Sequence, residues 1–78
     1  MNTPTAPQMR MRRDRVDRLR EMRELGSDYK LARAMGMSRA SVSRVFRGQQ
    51  QPGSQFAAAL CLALGAGLDD LFTPEQAA

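Results

Sequence analysis

The chain predicts an all-α fold of five helices, and three observations carry that prediction. Ala, Leu, Arg, Met and Gln dominate its 78 residues, with no Trp and a single Tyr, a composition that favours helix. Apolar residues recur at helical spacing: Leu31, Ala32 and Met35, then Val42, Val45 and Phe46, then Phe56, Leu60 and Leu64. Gly26, Gly36, Gly48 and Gly65 punctuate these stretches, and no strand-like alternation is read between them. A chain this short forms one domain and buries only about 60–65% of its unfolded surface, so its core is modest.

Each element follows in order. Residues 1–8 read as a disordered tail: Pro4 and Pro7 interrupt it and it has no core residues. Residues 9–73 read as the domain and 74–78 as a C-terminal tail. The first helix spans about 8–25, with Val16, Leu19, Met22 and Leu25 inward and Gly26 as its end. Its arginines pair one turn away with acids, as Arg10 with Asp14, Arg13 with Asp17, Asp14 with Arg18 and Arg20 with Glu24. That run is either a solvated, salt-bridged face or an edge that touches phosphate. Ser27 or Asp28 caps a second helix over about 28–36, ended by Gly36 in a left-handed conformation. Met37 packs inward from the turn, and Ser38 caps a third helix over about 38–47. Ala32 is the small residue that lets two helices cross steeply through a short turn. Residues 49–53 form a polar loop, Ser54 caps a fourth helix over about 55–65, and Leu68, Leu71 and Phe72 mark a short last helix.

Charge is distributed unevenly. Residues 1–48 hold all 12 Arg and Lys, against Asp14, Asp17, Glu21, Glu24 and Asp28; residues 49–78 hold no base and three acids, Asp69, Asp70 and Glu75. A basic half and an acidic half suit a polyanion-binding face with a second face kept off the polyanion. Cys61 is the sole cysteine and sits in an apolar helical stretch, which reads as a structural thiol. With no His and one Cys, no metal site and no cofactor are expected. The longest apolar run, Phe56 to Leu68, is shorter than the roughly 20 residues a membrane helix needs. No signal peptide is read, and the expected location is cytoplasmic. An enzyme is not expected: there is no His, no carboxylate pair on an apolar face and no phosphate-cradling Gly loop.

Residues 28–48 therefore read as a helix-turn-helix unit, whose dominant use is to place its second helix in the DNA major groove. Around it, the stretch from Leu31 to Phe72 resembles the phage repressor and Cro class, the Xre family. Leu31-Ala32, Met35-Gly36, Ser38, Val42, Val45, Gly48, Pro52, Ala63-Leu64-Gly65 and Leu68-Asp69-Asp70-Leu71-Phe72 carry the resemblance. It implies a compact, five-helix, lambda-repressor-like domain. Two positions depart from the family pattern. Asp28 stands where the family often has Gln near the start of its second helix, and Phe46 stands where it often has Glu. A carboxylate repels phosphate, so that contact passes to Lys30, Arg33 or a backbone amide at the helix start.

The resemblance implies base reading from residues 39, 40 and 44. Arg39, Ala40, Ser43 and Arg44 share the outer face of the third helix. Arginine in the major groove favours guanine, and Ala40 with the Ser43 region packs on a thymine methyl. Lys30, Arg33, Ser38, Ser41, Arg47, Gln49, Gln50 and Ser54 are candidate phosphate contacts, with Gln51 beside them. One unit covers few base pairs, so a homodimer on a palindromic operator is expected, with Leu68, Leu71 and Phe72 as its interface. The expected function is a sequence-specific transcriptional regulator, a repressor or autoregulator of a phage, mobile element or similar small operon. The alternative is an interaction module, an antiactivator or antitoxin acting through a protein partner.

Overall fold

A computed structural model describes residues 8–75. The order of elements is β1 (Gln8–Met11), α1 (Arg13–Met22), α2 (Asp28–Met35), α3 (Arg39–Phe46), α4 (Ser54–Leu64), α5 (Leu68–Leu71) and β2 (Phe72–Glu75). The five expected helices are present around one core. The expectation of a purely helical fold needs correction, because β1 and β2 pair antiparallel in register Gln8↔Glu75, Met9↔Pro74, Arg10↔Thr73 and Met11↔Phe72. The tails expected at 1–8 and 74–78 fall outside the described residues except for Gln8, Pro74 and Glu75, which belong to this sheet.

The sheet explains why α1 starts at Arg13 rather than near residue 8. The Arg12 amide donates to the Leu71 carbonyl (2.7 Å), and Arg12 Nε donates to Thr73 Oγ1 (2.7 Å). Met9 and Met11, two residues apart on β1, both pack against the core, while Arg10 between them is exposed. Phe72 and Leu71 are wholly enclosed beside Val16, Leu60 and Leu64. The start and end of the domain are thereby tied together.

The first helix also ends earlier than Gly26. Its last turn closes when the Leu25 amide donates to the Arg20 carbonyl (2.7 Å), and the left-handed residue is Glu24, at φ 58°. Met22 is 72% exposed instead of facing inward. The buried face of α1 runs from Val16 to Arg20, one turn apart, with Leu19 partly buried beside it. Arg20 pairs with Asp28 rather than with Glu24.

Burying Arg20 is feasible because its polar atoms are satisfied. Only 7% of the residue is exposed. Nε donates to the Leu25 carbonyl (3.0 Å), and Nη2 donates to the Gly26 carbonyl (2.8 Å) and to Asp28 Oδ1 (3.0 Å). The guanidinium lies 4.9 Å from the centre of the Phe46 ring, which itself meets Phe56 edge-on at 6.0 Å. One side chain therefore joins the end of α1, the connecting turn, the start of α2 and the end of α3.

The remaining local signals act as their chemistry predicts. Ser27 caps α2 by accepting from the Lys30 amide (3.1 Å), and Gly36 ends it at φ 66°. Leu31, Ala32 and Met35 of α2 and Val42 and Val45 of α3 are buried. Gly53, not Ser54, is the N-cap residue of α4, and its lack of a side chain leaves that helix without a side-chain cap.

Replacing Arg20 with Met keeps an unbranched side chain of similar reach but leaves two turn carbonyls and Asp28 Oδ1 without this donor. The expected cost is about 2–3 kcal/mol. In a domain of this size that lowers Tm by about 10–20 °C, measurable by circular dichroism. An unchanged Tm would show that the guanidinium is dispensable.

Candidate nucleic-acid interface

The second helix of the unit is presented by its cap. Ser38 Oγ accepts from the Ser41 amide (3.1 Å) and donates to Ser41 Oγ (2.8 Å). These bonds fix the first turn of α3 where Val42 and Val45 enter the core. Burial of that face turns Arg39, Ala40 and Arg44 outward, all exposed. Ser43 is half-buried, and its hydroxyl donates to Asp28 Oδ2 (3.0 Å). Arg44 Nε donates to Gln50 Oε1 (3.3 Å), and its Nη2 reaches Ser41 Oγ at 3.5 Å.

The candidate phosphate contacts flank this helix. Lys30 and Arg33 are exposed on α2, and Arg33 leans over the Tyr29 ring at 5.9 Å and donates to its hydroxyl (3.3 Å). Ser38 and Ser41 sit at the start of α3; Arg47, Gln49, Gln50 and Ser54 follow it, the last four exposed. Of the three expected dimer residues, only Leu68 offers surface, at 50% exposed; Leu71 and Phe72 are core. Leu62 of α4 is 85% exposed and was not singled out by the periodicity, which placed Phe56, Leu60 and Leu64 inward.

Asp28 and Phe46, the two departures from the family pattern, meet the same side chain. Asp28 gives one carboxylate oxygen to Arg20 and the other to Ser43, while the Phe46 ring lies against the Arg20 guanidinium. Partial burial pushes the Asp28 carboxyl up. The hydrogen bonds from Arg20 and Ser43, with the charges of Arg20 and Arg39, outweigh that and hold it below the usual carboxylate range. Asp28 also stands in the first turn of α2, where the helix dipole favours an anion. Its charge is thus compensated inside the protein.

The half-buried Cys61 contrasts with this. Burial, with Asp70 and Asp69 nearby, pushes its thiol up, so it stays protonated and behaves as packing. Among the described residues no group of three His, Cys, Asp or Glu side chains gathers to hold a metal. None of their helices is long and apolar enough to cross a membrane.

The depressed Asp28 pKa gives a pH dependence with a definite sign. The folded state holds the proton more weakly than the unfolded chain. The stabilisation is therefore complete above the unfolded carboxyl pKa and is lost as pH falls through the lower folded value. Thermal melts across about pH 2–6 should show the acid limb of Asp28→Asn flatter than that of the wild type. Identical acid limbs would refute this role.

The comparisons with known proteins agree with this geometry. A family model described as helix-turn-helix matches residues 19–71, more than half of the chain. No curated protein and no solved structure gives a significant match. A matched segment that runs from the end of α1 through α5, with the cap, turn and buried stripe of the motif in place, shows that the chain belongs to the Xre/Cro-type helix-turn-helix family of DNA-binding regulators.

Proposed function

We propose that this protein is a sequence-specific repressor or autoregulator of a small operon of the phage or mobile-element type, working in the cytoplasm and reading the major groove with α3. One observation carries the proposal: the core-facing stripe of α3 leaves Arg39, Ala40 and Arg44 together on its exposed face. Arg39 and Arg44 each take a guanine through O6 and N7. Ala40 and the Ser43 methylene pack on a thymine methyl, the Ser43 hydroxyl being held by Asp28. Lys30, Arg33, Ser38, Ser41, Arg47, Gln49, Gln50 and Ser54 hold register on the phosphates.

Two copies bind a palindromic operator with half-sites about one helical turn apart. They pair at the α4–α5 end, where Leu68 and Leu62 supply exposed apolar surface, Leu71 and Phe72 being core. A carboxylate at Asp28, where a phosphate contact is expected, argues for action through a protein partner, as does the largely uncharged loop at 49–51. With the Asp28 carboxylate committed to Arg20 and Ser43, the first argument weakens and the DNA reading gains.

Binding of the purified protein to DNA from its own upstream region, measured as a salt series beside Arg44→Ala, tests the proposal. The variant should lose about 1–3 kcal/mol for the operator, about 5- to 150-fold in Kd, and with it discrimination at one G·C pair. Weak wild-type binding, equal on all sequences, would overturn the regulator reading and point to a protein partner. For the dimer, Leu62→Glu with Leu68→Glu should sediment as a monomer and lose affinity for a two-half-site operator while keeping a wild-type fold. A variant that still sediments as a dimer would remove this surface from consideration.

A further inference from the structure

Beyond the recognition helix, β1 brings arginines to the far end of α3. A cleft of about 460 Å³ opens between β1 and the segment that follows α3. Arg10, Arg13 and Arg47 line it together with Gln50 and Gln51, and none of its lining residues is acidic. Pairing of β1 with β2 holds Arg10 there, since its partner across the sheet is Thr73. Arg10 and Arg13 both lie before the matched family segment, which begins within α1.

The carbonyl end of a helix ordinarily repels an anion. Here Arg13 Nη1 donates to the Phe46 carbonyl (2.8 Å), and its guanidinium lies 5.0 Å from the Phe46 ring centre. One of the terminal carbonyls of α3 is thereby answered by a cation. Arg13 also approaches Asp17 at 4.0 Å, across a pair that is more than half exposed. Arg10 and Arg47 are both exposed at the same opening. Gln50 lines the cleft and accepts from Arg44, so the cleft adjoins the side chain proposed to read guanine.

We infer that the cleft between β1 and the α3–α4 loop, with Arg10 and Arg47 as its phosphate ligands and Arg13 as the cap that makes it hospitable, binds a backbone phosphate of the operator beyond the bases that α3 reads. The inference rests on the DNA-reading proposal above and extends its footprint. It assigns the sheet a role in binding as well as in closing the core. Bound phosphate at the cleft holds Gln50, and through it Arg44, in register.

The test is a salt series on the operator with wild type, Arg10→Gln, Arg47→Gln and the conservative Arg10→Lys. Either Gln variant should lower the log–log salt slope by up to about 0.9, the one phosphate that the two arginines share, with the operator-to-random affinity ratio unchanged. Arg10→Lys should keep the wild-type slope. A wild-type slope in Arg10→Gln, whatever Arg47→Gln does, would overturn the inference while leaving the regulator reading intact. A wild type that does not prefer its operator would overturn both. Ethylation interference on the wild-type protein gives a reading that needs no variant: an interfering phosphate outside the base pairs protected by α3 is expected, and none there overturns the inference. Inorganic phosphate at matched ionic strength should displace DNA no better than chloride. Markedly stronger displacement would identify a site for free anions and overturn the assignment to DNA.

Discussion

The buried guanidinium of Arg20 is the constraint on which the arrangement of helices depends. Its planar fork sends one donor to the Leu25 carbonyl and two to Gly26 and Asp28, while its flat face meets Phe46. A lysine ammonium is a point charge without that fork or that face. The contacts reach along the chain from residue 20 to residue 46, so they set the turn between α1 and α2 and the position of α3 together. Isolating such a charge is costly, which is why it comes with a carboxylate, two carbonyls and an aromatic ring.

The sheet performs the complementary task at the other end. Met11 opposes Phe72, and the Arg12 amide reaches the Leu71 carbonyl, so the segment before α1 closes over the residues after α4. A two-stranded ribbon alone is marginal in water. This one persists because Phe72, Leu71 and the two methionines belong to the helical core. It is better described as a clasp on the helices than as a separate layer.

The parts of this fold that were legible in the sequence are those written in neighbouring residues. Ser27, Gly36 and Ser38 announce their helix ends through bonds to residues three or four positions away, and the stripe of Val42 and Val45 repeats within one helix. The sheet was not legible. Its strands are four residues long, Gln-Met-Arg-Met reads equally well as helix, and the partner lies more than sixty residues away. The Arg20 contacts were hidden for a similar reason, since Glu24 at one helical turn looked the natural partner. A signal did exist: Asp28 and Phe46 both depart from the family pattern, and both touch the one side chain of Arg20. At the candidate interface, the outward set Arg39, Ala40 and Arg44 followed from helical periodicity. The inward turn of Ser43 toward Asp28 did not, because it depends on how α2 and α3 cross.

That crossing links the core to the surface. Asp28 sits at the start of α2, beside exposed Lys30 and Arg33, where an uncompensated carboxylate would oppose a phosphate. Arg20 approaches it from inside the domain and Ser43 from α3. The pair Arg20–Asp28 is neutral as a unit, so the outer face keeps the charges of Lys30, Arg33, Arg39, Arg44 and Arg47 without an opposing one in their midst. The same two bonds restrain the rotation of α3 about its axis, which decides where Arg39 and Arg44 point. The bidentate base recognition proposed for these two arginines tolerates little angular error. The acid that looked like an obstacle to DNA binding is, in this geometry, part of what aims the arginines.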